Sequence, residues 1–458
     1  MLKEWNKEVE GVHKSLYANQ VAASFRNGVA QPFIPYYARR LGATAVELGW
    51  LTSLMNLFPN ILQIPWARFS DKLGRRTPFI IVGSSLIALS YLMLIASSTP
   101  MLVILAVLFQ SIAISAVIPA WSAMLGEKVP IATRGKSFGR INLWAGAAAI
   151  VGGLVATSLV LTGDPESSEV FHLPFIVAIL AGLVAALVMF SLKERKEPAH
   201  FLKKKVTSKE IGYENEKKKD FRYFIEVQVF YNFFMSMIWP ILYITTVDVL
   251  HASNLEITIL TLCGSLSTVA IQSQVGKLMD RVGPVSLINI SRFMLVFVPL
   301  VYGFANSIYY LYFLNILLGS AVAIINVAFA GYILDIAPST HKGESFAIYN
   351  TAIGAVTFVG SLFGGYLATL FIGFWGLWFG LLGVYSISFF GRIAGALFSL
   401  RIKDPRHYPE RMTDIARHYP ERVIDTARQY PEKVVDAAHN LRERMKNVLM
   451  RLHFFKPH

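Results

Sequence analysis

The chain has 458 residues, of which 54% are hydrophobic and only 16% charged, and its mean hydropathy is +0.49. That balance excludes an ordinary soluble globule and a charge-rich disordered chain. The formal net charge of +14 would suit nucleic acid, but the basic residues sit mostly in segments between apolar runs, so no nucleic-acid partner is expected.

Apolar runs of about 20 residues recur along most of the chain, the length a helix needs to cross a hydrocarbon core. Lipid offers no partners for loose backbone groups, so such spans must be helical. The alternating ten-residue pattern of a membrane barrel is missing from the sequence. Spans are predicted near 16–38, 45–68, 77–97, 100–125, 136–162 and 171–192, then 222–249, 255–275, 285–303, 307–334, 344–370 and 374–401. The expected fold is therefore an all-α membrane protein with twelve transmembrane helices in two pseudo-symmetric six-helix halves. Its expected parts are a first half over 1–192, a basic cytosolic linker over 193–221, a second half over 222–402, and a tail over 403–458.

Orientation follows from where lysine and arginine fall in short loops. With a polar N-terminal lead-in placed in the cytosol, inner loops carry Arg68, Lys72, Arg75, Arg76, Lys128, Arg134, Lys136, Lys277, Arg281 and Lys342. Outer loops carry mainly Asp164, Glu166, Glu169 and Glu256; Arg39 and Arg40 are the exception. Both termini are expected in the cytosol of a multi-pass cell-membrane protein.

The halves repeat one another in detail. At a constant offset of 208, Glu127 aligns with Asp335, Pro130 with Pro338, Gly135 with Gly343, Asn142 with Asn350, Gly146 with Gly354 and Gly152 with Gly360. In the first span of each half, Phe25, Asn27 and Pro35 align with Phe230, Asn232 and Pro240. A charged turn after the second span, Asp71-Lys72-Leu73-Gly74-Arg75-Arg76, returns as Gly276 to Gly283 with Asp280 and Arg281. Chance similarity between apolar runs does not hold proline, glycine, asparagine and acid in one register.

Two six-helix halves, a basic middle loop and this turn together resemble the major facilitator superfamily, over roughly residues 16–402. That family's turn reads Gly-x-x-x-Asp-Arg/Lys-x-Gly-Arg-Arg/Lys. Here Ala67 replaces the first glycine, and the second copy breaks off at Pro284. Gly74 permits the tight turn. Asp71 suits the positive end of a neighbouring helix, and Arg75 is expected to reach Glu127. The resemblance implies that this cluster, with Asp280 and Asp335 as second-half counterparts, acts as a cytosolic gate. Bare topology signalling by the same charges is the plainer alternative.

The resemblance also implies that the first, fourth, seventh and tenth helices line a central cavity. The candidates there are Arg26, Asn27 and Gln31; Gln110 and Ser115; Asn232, Ser236 and Trp239; and Asn315 and Asn326. Arg26 stands out, because a charge at mid-span costs about 2.5–3.5 kcal/mol on insertion scales and must face water, a partner or a substrate. An anionic substrate and an internal pairing both fit. Glu226 is the proton-coupling candidate, set against a plain solvated helix end. Arg140, Arg292 and Arg392 are expected to snorkel from span ends. The aromatics Phe230, Tyr231, Phe233, Phe234 and Trp239 suit either an amphipathic solute or helix packing.

The tail repeats with an 11-residue period, Arg406-His407-Tyr408-Pro409-Glu410-Arg411 returning at Arg417 and Arg428. Short amphipathic helices on anionic lipid and a binding segment for a cytosolic protein both fit that pattern. The lone Cys263 excludes an internal disulfide, and no phosphate loop, metal cluster or nucleophile constellation is found. No cofactor and no enzyme activity are expected. The function read from the sequence is secondary transport of a small-molecule substrate by alternating access, with a coupling proton or ion as a possible partner and the lipid bilayer as solvent. A non-transporting membrane sensor on the same fold is the alternative. Anion uptake and amphipathic drug efflux stay open.

Overall fold

A computed structural model describes residues 14–128, 134–161, 163–164, 167–192, 208–336 and 342–404; the side chains of 134–139, 208–218, 273, 277, 280, 281 and 342–344 lie outside that description. The tail repeats and the linker residues 193–207 also lie outside it. Among the described residues there is no strand.

The first half runs through α1 (Lys14–Ala30), a 3-10 turn (Gln31–Phe33), α2 (Ile34–Arg40), α3 (Ala45–Ile61), α4 (Gln63–Leu73), α5 (Thr77–Ile95), α6 (Pro100–Lys128), α7 (Arg134–Val160) and α8 (His172–Met189). The second half runs through α9 (Ser208–Met237), α10 (Trp239–Ile244), a π-helical turn (Thr245–Val249), α11 (Asn254–Val282), α12 (Pro284–Val296), α13 (Val298–Phe304), α14 (Ile308–Ile336) and α15 (Lys342–Ser399). Part of the expected linker is therefore helical, since α9 begins at Ser208.

Nine stretches among the described residues are long and apolar enough to cross a membrane, against twelve expected. The first two expected spans are each divided, α1 from α2 and α3 from α4. The eleventh and twelfth share α15, where Gly376 at φ 76° and ψ 174° interrupts the helical backbone. A left-handed φ of that kind is open to glycine at little steric cost.

Sequence sets these interruptions. Proline has no N–H, so the carbonyl four residues before it loses its helical donor. Such carbonyls must find another donor in lipid. Pro240 leaves the Ser236 carbonyl, which accepts from Ser361 Oγ at 3.2 Å. The neighbouring Phe234 and Met235 carbonyls accept from Ser388 Oγ at 2.7 Å and from Arg392 at 3.1 Å. Pro299 leaves the Leu295 carbonyl, which accepts from Arg392 at 2.8 Å. Polar side chains on α15 thus staple the breaks in α9–α10 and α12–α13.

The repeat extends to helix ends. α3 starts with a capping box between Thr44 and Glu47, and α11 starts with the same box between Ser253 and Glu256. α4 ends at Gly74 with φ 60°, and α11 ends at Gly283 with φ 81°.

Inside each half, glycines let backbones touch, which is how membrane helices pack without a hydrophobic force between them. A Cβ on Gly28 would meet the Ala149 backbone, and one on Gly152 would meet Phe25 and Val29, so α1 lies directly on α7. The repeat counterpart holds: Gly360 meets Phe233 and Ser236, and Gly364 meets Met237, so α9 lies on α15. Large apolar side chains face outward along the bundle, including Phe374, Trp375, Trp378 and Phe379 beside Gly376 and Tyr309 and Tyr310 at the start of α14. Aromatics gathered at helix ends fit the headgroup level of a bilayer.

Candidate functional site

The two halves meet along α3 against α15 and α7 against α11. Glycines mark the nearest approaches: Gly365 against Ala45 and Gly49, Gly49 against Ser361, Gly354 against Asn56 and Asn60, Gly153 against Leu262, and Gly146 against Val269. Ser53 Oγ donates to the Phe358 carbonyl across this seam at 2.8 Å.

One end of the seam, the Arg39 end, is held by charge. Arg39 donates from Nε and Nη2 to both carboxylate oxygens of Asp248, each at 2.6 Å. A two-pronged pair of this kind is the strong geometry for arginine and carboxylate. Arg40 donates to the Ala252 carbonyl at 2.6 Å, and Asn254 donates to the Ser167 carbonyl at 3.0 Å. Tyr36 sets its ring edge-on to Tyr243, 4.9 Å between centroids. The π-helical turn Thr245–Val249 carries Asp248 into this place.

Toward the other end, the Asp71 end, the facing surfaces lose their cover. Asn142 stands one turn beyond Gly146 on the same face of α7, and Asn142 and Leu143 are exposed. Asn350 stands in the equivalent place beyond Gly354 and is half-buried, with Ile348 exposed beside it. The charged contacts across the seam thus lie at the Arg39 end, while toward the Asp71 end Asn142 is exposed beyond the glycine contact at Gly146.

At the Asp71 end the charged turn is held within the first half. Gly74 ends α4 in the left-handed conformation, which points Arg75 outward and exposed. Arg76 folds back and donates to Asp71 at 2.5 Å, to Glu127 of α6 at 3.2 Å and to Ser70 Oγ at 2.7 Å. The expected Arg75–Glu127 pair is thus corrected to Arg76–Glu127. Partial burial works against the Arg76 charge, but the Asp71 and Glu127 carboxylates outweigh it and hold the group above its usual range.

A family model of the Major Facilitator Superfamily matches residues 16–225 and again 224–431. The chain belongs to the major facilitator superfamily. Among its relatives is an uncharacterized MFS-type transporter of Methanocaldococcus jannaschii, 25% identical over 394 residues, covering 82% of this chain and 94% of that one. The nucleoside transporter NupG superposes with a TM-score of 0.65 at 13% identity, over 85% of this chain and 99% of its own. A bacterial homolog of the human lysosomal transporter Spinster, in an inward-facing and occupied conformation, gives a TM-score of 0.62 at 13% identity, over 84% and 94%. Likeness at such identity concerns the fold alone.

In this superfamily member the polar candidates divide into two groups. Asn27 is exposed near the middle of α1, and its Oδ1 accepts from Nε and Nη2 of Arg26 at 3.3 and 3.2 Å. Arg26 itself is 5% exposed and lies against Gly182 of α8; its Nη1 is buried with no hydrogen-bond partner. Gln31 accepts from the Tyr91 hydroxyl at 3.2 Å. Asn326 is exposed on α14, on the stripe through Gly319 that meets α11. Trp239 is half-buried at the start of α10.

The remaining candidates bond within their own half. Gln110 donates to Ser90 Oγ at 3.0 Å, and Ser115 accepts from the Trp66 indole at 3.0 Å. Asn232 donates to the Gln228 carbonyl at 2.8 Å, Ser236 to the Phe233 carbonyl at 3.2 Å, and Asn315 to the Leu311 carbonyl at 2.9 Å. Glu226 is exposed and pairs with Arg222 one turn away at 2.9 Å, an ion pair on the outer surface of α9 rather than at a helix end. Asp335 is half-buried in the last turn of α14, and the Asp280 side chain lies outside the described residues.

Two expectations change. Arg292 and Arg392 do not snorkel: they are 1% and 2% exposed, the largest fully buried side chains among the described residues. The aromatic stripe of α9 is packing, since Tyr231 is buried, Phe234 lies on Gly391, and Phe233 lies near Phe363. The Arg39–Asp248 pair went unforeseen, although the two arginines in an otherwise acidic set of loops were its trace in the sequence.

Proposed function

We propose that this chain is a secondary transporter that moves a small solute across the cell membrane by alternating access, seen here open to the cytosol. The observation that carries this reading is the asymmetry of the seam. Arg39–Asp248 and the flanking bonds join the halves at one end, while at the other Asn142 lies exposed one turn beyond the glycine contact at Gly146. Lysine and arginine placement assigns the uncovered Asp71 end to the cytosol. Rocking the halves about the glycine contacts near Gly146 and Gly354 would close that end and part Arg39 from Asp248. The Asp71–Arg76–Glu127 cluster, held here inside the first half, would then face its second-half counterparts.

For the solute, Arg26 with Asn27 and Gln31 supports an anionic group over an amphipathic drug. Arg26 retains a buried N–H with no acceptor. The α9 aromatics that a drug would need are committed to helix packing. Counterflow into proteoliposomes, with radiolabelled organic anions, nucleosides and lipophilic cations as arms, tests this. Anion uptake that Arg26→Ala weakens more than Arg26→Lys is expected. Uptake of none of these solutes would sink the transport reading, and unchanged anion affinity in both variants would sink the role of Arg26.

A further inference from the structure

The second half buries two guanidinium groups beside one another. Arg292 of α12 lies between Gln228 and Tyr231 of α9: it donates to Gln228 Oε1, its Cζ sits 3.9 Å over the Tyr231 ring, and Phe329 of α14 lies 5.0 Å away. The Tyr231 hydroxyl donates to the Arg292 carbonyl at 2.9 Å, which fixes α9 against α12. Arg392 of α15 reaches the same seam one turn along, donating to the Leu295 and Met235 carbonyls. The two arginines thus meet α9 on neighbouring turns, Arg292 at Gln228 and Tyr231 and Arg392 at Met235, four residues or about 6 Å beyond Tyr231 along the helix.

Acceptors run out before the donors do. Nε of Arg292, Nε of Arg392 and Nε2 of Gln228 are all buried with no hydrogen-bond partner. Asn289, one turn before Arg292 on α12, lines a groove of about 780 Å³ with Phe293 and Tyr310, and its buried Oδ1 accepts from neither arginine. The nearest acid on α14, Asp335, stands six residues beyond Phe329, about 9 Å along the helix, and has contacts of its own. Ring faces and carbonyl dipoles offset part of a cation's desolvation, but a buried charge needs a counter-charge. Water would answer the donors and leave both charges uncompensated.

We propose that a small inorganic anion of chloride size binds between Arg292, Arg392 and Gln228, inside the second half and apart from the cleft. The burial of both arginines keeps larger, organic anions out. This site is independent of the transported solute, so its failure leaves the transport reading intact.

The test is a thermal-unfolding titration of the purified full chain in detergent. Sodium chloride is exchanged for sodium gluconate at fixed pH and ionic strength. A saturable rise in Tm with chloride is expected, lost in Arg292→Gln. Should that variant fail to fold, Gln228→Leu keeps both charges and should shift the chloride midpoint to higher concentration. Equal Tm curves in the two salts would overturn the proposal. So would a chloride response unchanged in either variant, because the anion would then sit elsewhere. Bromide soaked into crystals should give an anomalous peak between the two guanidinium groups, and a peak only at other places would count against the site.

Discussion

Replacing Asp248 by asparagine should populate the state open at the Arg39 end. The substitution keeps the shape of the side chain and removes the charge that receives two 2.6 Å hydrogen bonds from Arg39. Hydrogen bonds to charged groups contribute about 1.5–3 kcal/mol, while exposed ion pairs give only about 0.2–1 kcal/mol. The two side chains are 22% and 26% exposed, so solvent screens part of the interaction. A middle value of roughly 1–2 kcal/mol corresponds to about a 5- to 30-fold change in the ratio of states. The assay uses a Cys263→Ser background with Asn27→Cys as reporter, because Asn27 is exposed near the middle of α1. A membrane-impermeant maleimide is added from the Arg39 side of oriented vesicles. Labelling should accelerate by that factor in Asp248→Asn and return toward the starting rate in the charge swap Arg39→Asp/Asp248→Arg. An unchanged rate in a well-folded Asp248→Asn would refute the pair as a gate.

Other outcomes follow from the same contacts. Arg76→Gln should lower Tm and Arg75→Gln should leave it nearly unchanged, because only Arg76 ties α4 to Glu127; equal effects would restore the pairing expected from sequence. Gly28→Val should cost at least the roughly 1–3 kcal/mol of an overpacked core, since its Cβ meets rigid Ala149 backbone; a variant with native Tm would show that α1 and α7 can part. Arg392→Gln should destabilise the chain more than Ser388→Ala, as it removes donors to two carbonyls beside the proline breaks instead of one; scanning calorimetry ranks the two.

Much of the architecture was legible in the chain because it rests on local chemistry. Prolines at 35 and 240, glycines at 74 and 283, and the glycine pair 152 and 360 act on their own backbone, so their register carries straight into structure. Side-chain destinations were less legible. Arg75 and Arg76 differ by one position, and the left-handed Gly74 decides which of them turns back over α4. Gln110 and Asn232 sit on helices that the resemblance assigns to a central cavity, but helix rotation aims them into their own bundles. Arg292 and Arg392 stand toward the ends of their spans in sequence, yet they face α9 and are wholly buried. Arg39 and Asp248 lie far apart in the chain, and only the closure of the two halves brings them together.

The central claim is that solute crosses by opening and closing the two ends of one cleft in turn. Ser167 and Asn254, which touch across the Arg39 end without belonging to the ion pair, allow a direct test. In a Cys263→Ser background, Ser167→Cys and Asn254→Cys are bridged with a reducible bifunctional thiosulfonate, and solute counterflow is measured before bridging, after it and after reduction. The account predicts flux, then none, then flux restored. Undiminished flux through the bridged protein would contradict it.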